Sequence, residues 1–105
     1  MSFLPLEKCM NLYDGYRKQF VVNRQELLLI QEAGQIYLIQ SNCPHLHWPL
    51  LSAVIENGSI YCPKHGMAFS LTSGCGSNER AKNCTPLRVY PLAYEGRDVG
   101  LWLGQ

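Results

Sequence analysis

Residues 43–66 read CPHLHWPLLSAVIENGSIYCPKHG. At the centre of this stretch, Asn57-Gly58 separates two apolar runs, Ala53-Val54-Ile55-Glu56 and Ser59-Ile60-Tyr61-Cys62. An Asn-Gly pair in that setting is the strongest short-range hairpin signal, because a type I′ turn needs positive φ at both central residues. A hairpin folds its two open ends together. It therefore brings Cys43-Pro44-His45 near Cys62-Pro63-Lys64-His65 without any helix.

All three histidines of the chain, and two of its five cysteines, lie between residues 43 and 65. Each of the two motifs holds one thiol and one imidazole beside a proline that stiffens the loop. Two thiolates and two imidazoles suit tetrahedral zinc. They also suit a two-iron cluster with both Cys on one iron and both His on the other. A zinc finger ordinarily keeps its Cys pair in one motif and its His pair in another, whereas here the order is C-x-H, sixteen residues, C-x-x-H. The remaining cysteines, Cys9, Cys75 and Cys84, make the total odd, which argues against a disulfide framework. They read as structural or free thiols. Cys75 and Cys84 stand at the two ends of one loop that a disulfide would close, but spacing does not establish a pair.

Towards the N-terminus, Arg17 to Asn23 is rich in β-branched and aromatic residues. Glu26 to Gln31 (ELLLIQ) is too short to separate strand from helix by period. Gln35 to Gln40 reads as strand, and Glu32-Ala33-Gly34 suits a hairpin loop in which Gly supplies positive φ. That neighbour favours strand for Glu26 to Gln31. Residues 75–84 (CGSNERAKNC) are polar and read as a surface loop. Leu87 to Tyr90, Leu92 to Tyr94 and Val99 to Leu103 read as further short strands, with Pro91 at a break or an edge. Trp102, within Leu101-Trp102-Leu103, is expected in the core. Short strands divided by Gly and Pro turns imply an all-β sandwich or barrel.

The chain has 105 residues, of which 47% are hydrophobic and 16% charged, with a formal net charge of +1. That is one domain of chain, with no sign of disorder. The balanced charge excludes the basic excess of a nucleic-acid binder. The longest apolar runs, such as Leu27 to Ile30, fall far short of the roughly 18 residues of a membrane span. Residues 1–6 lack the features of a secretory signal. No membrane association is expected, and the default compartment is the cytoplasm.

Cys43-Pro44-His45 followed by Cys62-Pro63-Lys64-His65-Gly66 resembles the two cluster-binding loops of a Rieske [2Fe–2S] protein. Pro49-Leu50, Phe69 and Pro86-Leu87-Arg88-Val89-Tyr90-Pro91 match the family's usual surroundings, so the resemblance runs over roughly residues 4–103. It is strongest to the small ferredoxins that feed ring-hydroxylating dioxygenases, with the small subunit of nitrite reductase a near relation. The resemblance implies a single domain over residues 1–105, a Rieske-type sandwich of short antiparallel strands. Its cluster-binding subdomain, about residues 41–74, would be formed by two loops. It also implies one [2Fe–2S] cluster, with Cys43 and Cys62 on one iron and His45 and His65 on the other. The chain would then be an electron carrier and not itself an enzyme, taking single electrons from a flavoprotein reductase and passing them to a terminal oxygenase or another redox enzyme. A Rieske oxygenase would need a second iron site with two more His and a carboxylate, and those histidines do not exist here. The alternatives are an electron-transfer subunit of a nitrite reductase-like complex and a Cys2His2 zinc-binding interaction module.

In the family the His edge of the cluster meets the redox partner, which makes Leu46, His47, Trp48 and Pro49 candidates for docking. His47 occupies a place where the family usually has Gly, so it must either tolerate that backbone conformation or shift it. Thiolates stabilise ferric iron, and imidazoles donate less charge, so the His-bound iron is the easier one to reduce. Respiratory members place a Ser and a Tyr after the second ligand His, and their hydroxyls favour the reduced state. The corresponding residues here are Met67 and Phe69. Respiratory members also join the two loops by a disulfide, at places held here by Trp48 and Lys64. Both departures predict a low-potential carrier, with a midpoint near −150 mV, at the low end of the Rieske range. Protein-film voltammetry checks this directly, and a value above about +100 mV contradicts it.

Overall fold

The computed structural model describes residues 2–44, 47–64 and 66–103. Nine strands occur among them: β1 Ser2–Lys8, β2 Arg17–Val22, β3 Gln25–Glu32, β4 Gln35–Gln40, β5 Val54–Glu56, β6 Ser59–Tyr61, β7 Ala68–Ser70, β8 Ala93–Glu95 and β9 Asp98–Leu103. They form three antiparallel sheets of three strands, ordered β1-β9-β8, β2-β3-β4 and β5-β6-β7. The only other regular elements among the described residues are two single 3-10 turns, Cys9–Asn11 and Glu79–Ala81. The all-β sandwich expectation is met.

β3 is the centre of the molecule. Leu27, Leu28, Leu29 and Ile30 are each at most 1% exposed, which a two-faced sheet allows only at a strand covered on both sides. Successive side chains point to opposite faces. Leu28 and Ile30 enter one core with Ile39, Leu50, Ile60 and Phe69. Leu27 and Leu29 enter a second core with Leu38, Val99 and Leu101. Each fully buried leucine or isoleucine contributes about 1.5–3 kcal/mol, so β3 holds the other two sheets on its opposite faces.

The turns follow local chemistry. Glu56 pairs with Ser59 across Asn57 (φ 52°) and Gly58 (φ 77°), the two-residue turn that Asn-Gly predicts. The β3–β4 loop is also two residues, Ala33 and Gly34, between paired Glu32 and Gln35.

Four expectations need correction or refinement. β1 was not anticipated: Pro5 removes a donor, and the strand exists because it lies at a sheet edge with a register shift between Pro5 and Glu7. Leu87 to Tyr90 is no strand of its own. It follows β4 through a single bridge, Ile39 to Val89, between Pro86 and Pro91, which have no N–H to extend the ladder. Trp102 is 51% exposed, not core. Val99 and Leu101 point into the core, so strand alternation turns Trp102 outward, where its ring meets Phe3 edge-on at 5.6 Å. The polar loop at 75–84 carries the turn Glu79–Ala81, whose Ala81 is fully buried.

Glu7 ties β1 to the chain that enters β2. Its carboxylate accepts hydrogen bonds from Asn11 Nδ2 (3.0 Å), Tyr16 Oη (2.7 Å) and the Lys8 N–H (2.9 Å). These donors, Asn11 foremost, hold its pKa down from the ordinary 4.5 to about 2. The folded state therefore binds this proton less readily than the unfolded chain. The resulting stability is present above the unfolded pKa and is lost as pH falls toward the folded one. We expect urea midpoints to drop between pH 5 and 2.5, and the drop to be shallower in Glu7→Gln. Parallel acid limbs in the two proteins would contradict this.

Candidate metal centre

Cys43 and Cys62 are 0% and 1% exposed and belong to the same apolar core as Phe69, Leu50 and Ile60. The hairpin of β5 and β6 therefore brings together the two thiols that were 19 positions apart in the sequence. His45, Leu46 and His65 lie outside the described residues, so the two imidazole assignments remain expectations of the sequence.

The two cysteine loops have one backbone plan. The first, Cys43–Trp48, is closed by a bridge between Asn42 and Pro49. The second, Cys62–Met67, is closed by the pairing of Tyr61 with Ala68. In the first, the Cys43 N–H donates to Trp48 O (2.7 Å) and the His47 N–H donates to Cys43 O (2.8 Å). In the second, the Cys62 N–H donates to Met67 O (2.7 Å) and the Gly66 N–H donates to Cys62 O (3.0 Å). The fifth residue of each loop is left-handed: His47 at φ 61° and Gly66 at φ 68°. His47 thus adopts the conformation that a glycine takes freely, and bears the strain of doing so. The same pair of backbone bonds thus closes two loops of unlike sequence, CPHLHW and CPKHGM.

Polar side chains from elsewhere hold the second loop and the segments beside the first. Arg17 of β2 donates to the Leu51 and Ala53 carbonyls, just before β5. Gln40, at the end of β4, donates to Asn42 O (2.8 Å) and accepts from the Arg88 N–H (2.6 Å). Asn78 Nδ2 donates to Gly66 O (2.9 Å), while its Oδ1 accepts from the Ala68 N–H (3.2 Å) and the Ala81 N–H (3.1 Å). None of these three was singled out from the sequence. Only the Asn78-x-x-Ala81 spacing, which suits a capped turn, held a clue.

The remaining candidate residues divide by position. Met67 and Phe69 both pack in the core that holds the cysteines, Phe69 fully buried. Met67 Sδ lies 3.4 Å from Cys84 Sγ. Cys75 and Cys84 are free thiols, one exposed and the other packed on Met67. His47, Trp48 and Pro49 are exposed. Across the gap between loops, Lys64 Nζ sits 5.0 Å from the centre of the Trp48 ring, a cation–π contact that joins the loop tips.

The donor set suits an iron–sulfur cluster. Two soft thiols sit in an apolar, water-excluding core, and each is the first residue of a loop closed by short backbone hydrogen bonds. Two substitutions separate the polar lock from the strain. Asn78→Ala removes three hydrogen bonds and is expected to cost about 2 kcal/mol and to speed loss of visible absorption. His47→Gly relieves a left-handed side chain, so a gain of about 1 kcal/mol is expected, with the absorption retained. Thermal melts and visible spectra of both variants check this, and loss of absorption in His47→Gly would contradict it.

Residues 2–91 match the family model described as the Rieske [2Fe-2S] domain. The chain is 33% identical over 90 residues to the ferredoxin component of the alkene monooxygenase system of Xanthobacter autotrophicus, covering 85% of this chain and 71% of that protein. It is 28% identical over 64 residues to Apoptosis-inducing factor 3 of mouse and human, a match of 61% of this chain that spans only 11% of those proteins' length. Among solved structures, the ferredoxin of carbazole 1,9a-dioxygenase from Nocardioides aromaticivorans superposes with a TM-score of 0.79 at 22% identity, over 95% of this chain and 96% of that one. Among the described residues, no helix is long and apolar enough to cross a membrane.

Proposed function

The chain belongs to the Rieske [2Fe–2S] domain family, and on that premise we propose that it is a low-potential electron carrier between a flavoprotein reductase and a terminal oxygenase. The observation that carries the reading is the pair of matched loops, each opening on a buried cysteine. Cys43 and Cys62 are assigned to one iron, and His45 and His65 to the other. We take residues 1–105 as one domain, with the cluster region at about 41–74.

When bound, the cluster supplies reversible one-electron chemistry. The chain's own residues decide how that chemistry is used. Phe69, Leu50 and Ile60 surround the two thiols and exclude water from the cysteine side. Met67 and Phe69 offer no hydroxyl to cluster sulfur, which supports a potential low in the Rieske range. His47, Trp48 and Pro49 form the exposed side of the first loop, where a partner would approach. Catalysis of the final reaction belongs to that partner. A cytoplasmic setting agrees with the free thiols of Cys9, Cys75 and Cys84.

Colour is the first test. Protein expressed with iron and sulfide is expected to be brown-red, to bleach with dithionite, and to give a reduced-state EPR spectrum with the low average g of a His-ligated cluster. Replacing His45 or His65 by Cys is expected to move that spectrum toward the all-cysteine type. A colourless protein that binds one zinc ion would overturn the reading.

A further inference from the structure

A groove of about 510 Å³ opens beside the first cysteine loop and runs back over the β2–β3 turn. Pro44 and His47 of that loop line it, together with Arg24, Glu26, Asn42 and Arg88. Most of its polar groups already have partners. Glu26 Oε1 accepts from Asn42 Nδ2 at 2.7 Å. Gln25 Oε1 accepts from Tyr90 Oη at 3.2 Å, and both ends of the Gln40 amide are bonded. The two guanidinium groups are the exception. Those of Arg24 and Arg88 are exposed and make no hydrogen bond or ion pair among the described residues. Arg24 also stands in the turn at φ 67°, a conformation that a side chain occupies at a cost. The whole chain carries a net charge of only +1, so attraction of an anion to this groove rests on these two cations and not on the charge of the whole.

We propose that the groove receives an acidic, carboxylate-bearing segment of the protein that exchanges electrons with this chain. The proposal rests on reading the Cys43 loop as a cluster loop. A guanidinium fork matches a carboxylate in two parallel hydrogen bonds. Two forks with no partner of their own, in a groove whose carboxylate is already bonded to Asn42, favour an anionic occupant. The groove reaches Pro44 and His47, so a segment seated there ends against the loop that opens on Cys43. Unpaired cations at such a place also raise the rate of encounter with an acidic surface at low salt.

The test uses the whole, cluster-loaded chain reduced with dithionite. Its reoxidation is followed in a stopped-flow instrument with an anionic oxidant, hexacyanoferrate(III), and a cationic one, hexaammineruthenium(III). Each takes one electron from the reduced protein. Arg24→Gln/Arg88→Gln is compared with Lys8→Gln/Arg97→Gln, which removes the same charge outside the groove. At about 10 mM ionic strength, where screening is weak, the groove variant is expected to react with hexacyanoferrate on the order of tenfold more slowly than the control variant. With the ruthenium complex it should not be slowed. Octaglutamate is expected to protect the wild type from hexacyanoferrate and to leave the groove variant unprotected.

Equal rates for the two variants with both oxidants would overturn the proposal alone, since a coloured, bleachable protein keeps the carrier reading intact. Inorganic phosphate protecting as well as octaglutamate at equal charge would also overturn it, by making the groove a small-anion site. A colourless protein would overturn both readings together.

Discussion

The burial of β3 on both faces is the constraint on which the rest of the molecule depends. Leu28 and Ile30 enter the core that contains Cys43 and Cys62, and Leu27 and Leu29 enter the core closed by Val99 and Leu101. A slip of one residue in the pairing of β3 with β4 would exchange these sets. Both cores would then lose their fit at once. The register is therefore strongly specified, and with it the place where β4 ends and the first cysteine loop begins.

From that fixed point two loops of unlike sequence are closed by one pattern of backbone bonds. The shared element is backbone: a cysteine N–H donating to the sixth residue and a fifth-residue N–H returning to the cysteine carbonyl. Gly66 meets the required left-handed conformation without strain, whereas His47 meets it against its own preference. A side chain retained at such a position is held there by the surrounding structure. It also places an imidazole at the edge of the groove that carries Arg24 and Arg88.

The cysteine loops depend on polar side chains from distant parts of the chain. Arg17, Gln40 and Asn78 come from β2, from the end of β4 and from the segment after β7. Together they satisfy carbonyls of the segments that flank the short strands β5 to β7 and the first cysteine loop. A backbone group without a partner is costly where water is excluded, so these side chains add to what the apolar core contributes. Their role was hidden in the sequence because a polar residue's partner is set by tertiary contact, not by local pattern.

Much was legible locally. Asn57-Gly58 specified its hairpin through the φ values that only a few residues adopt readily, and β4 spans the same Gln35–Gln40 that its residue types predict. The thiol and imidazole residue types, in two motifs of mixed composition, pointed to the cluster chemistry because ligand softness is a property of the side chain itself. Other features were decided by tertiary structure. β1 exists because β9 pairs with it despite Pro5, and Trp102 is exposed because its neighbours Val99 and Leu101 claim the core. Single residues and their near neighbours were enough to set the Asn57-Gly58 turn and the donor atoms of the two motifs. Long-range packing made the meeting place of Cys43 and Cys62 a dry core and set Arg24 and Arg88 in one groove. The Asn57-Gly58 hairpin already draws the two cysteine motifs together, but their burial and the meeting of Arg24 with Arg88 arise from strand register and the packing of distant segments, which no local pattern records.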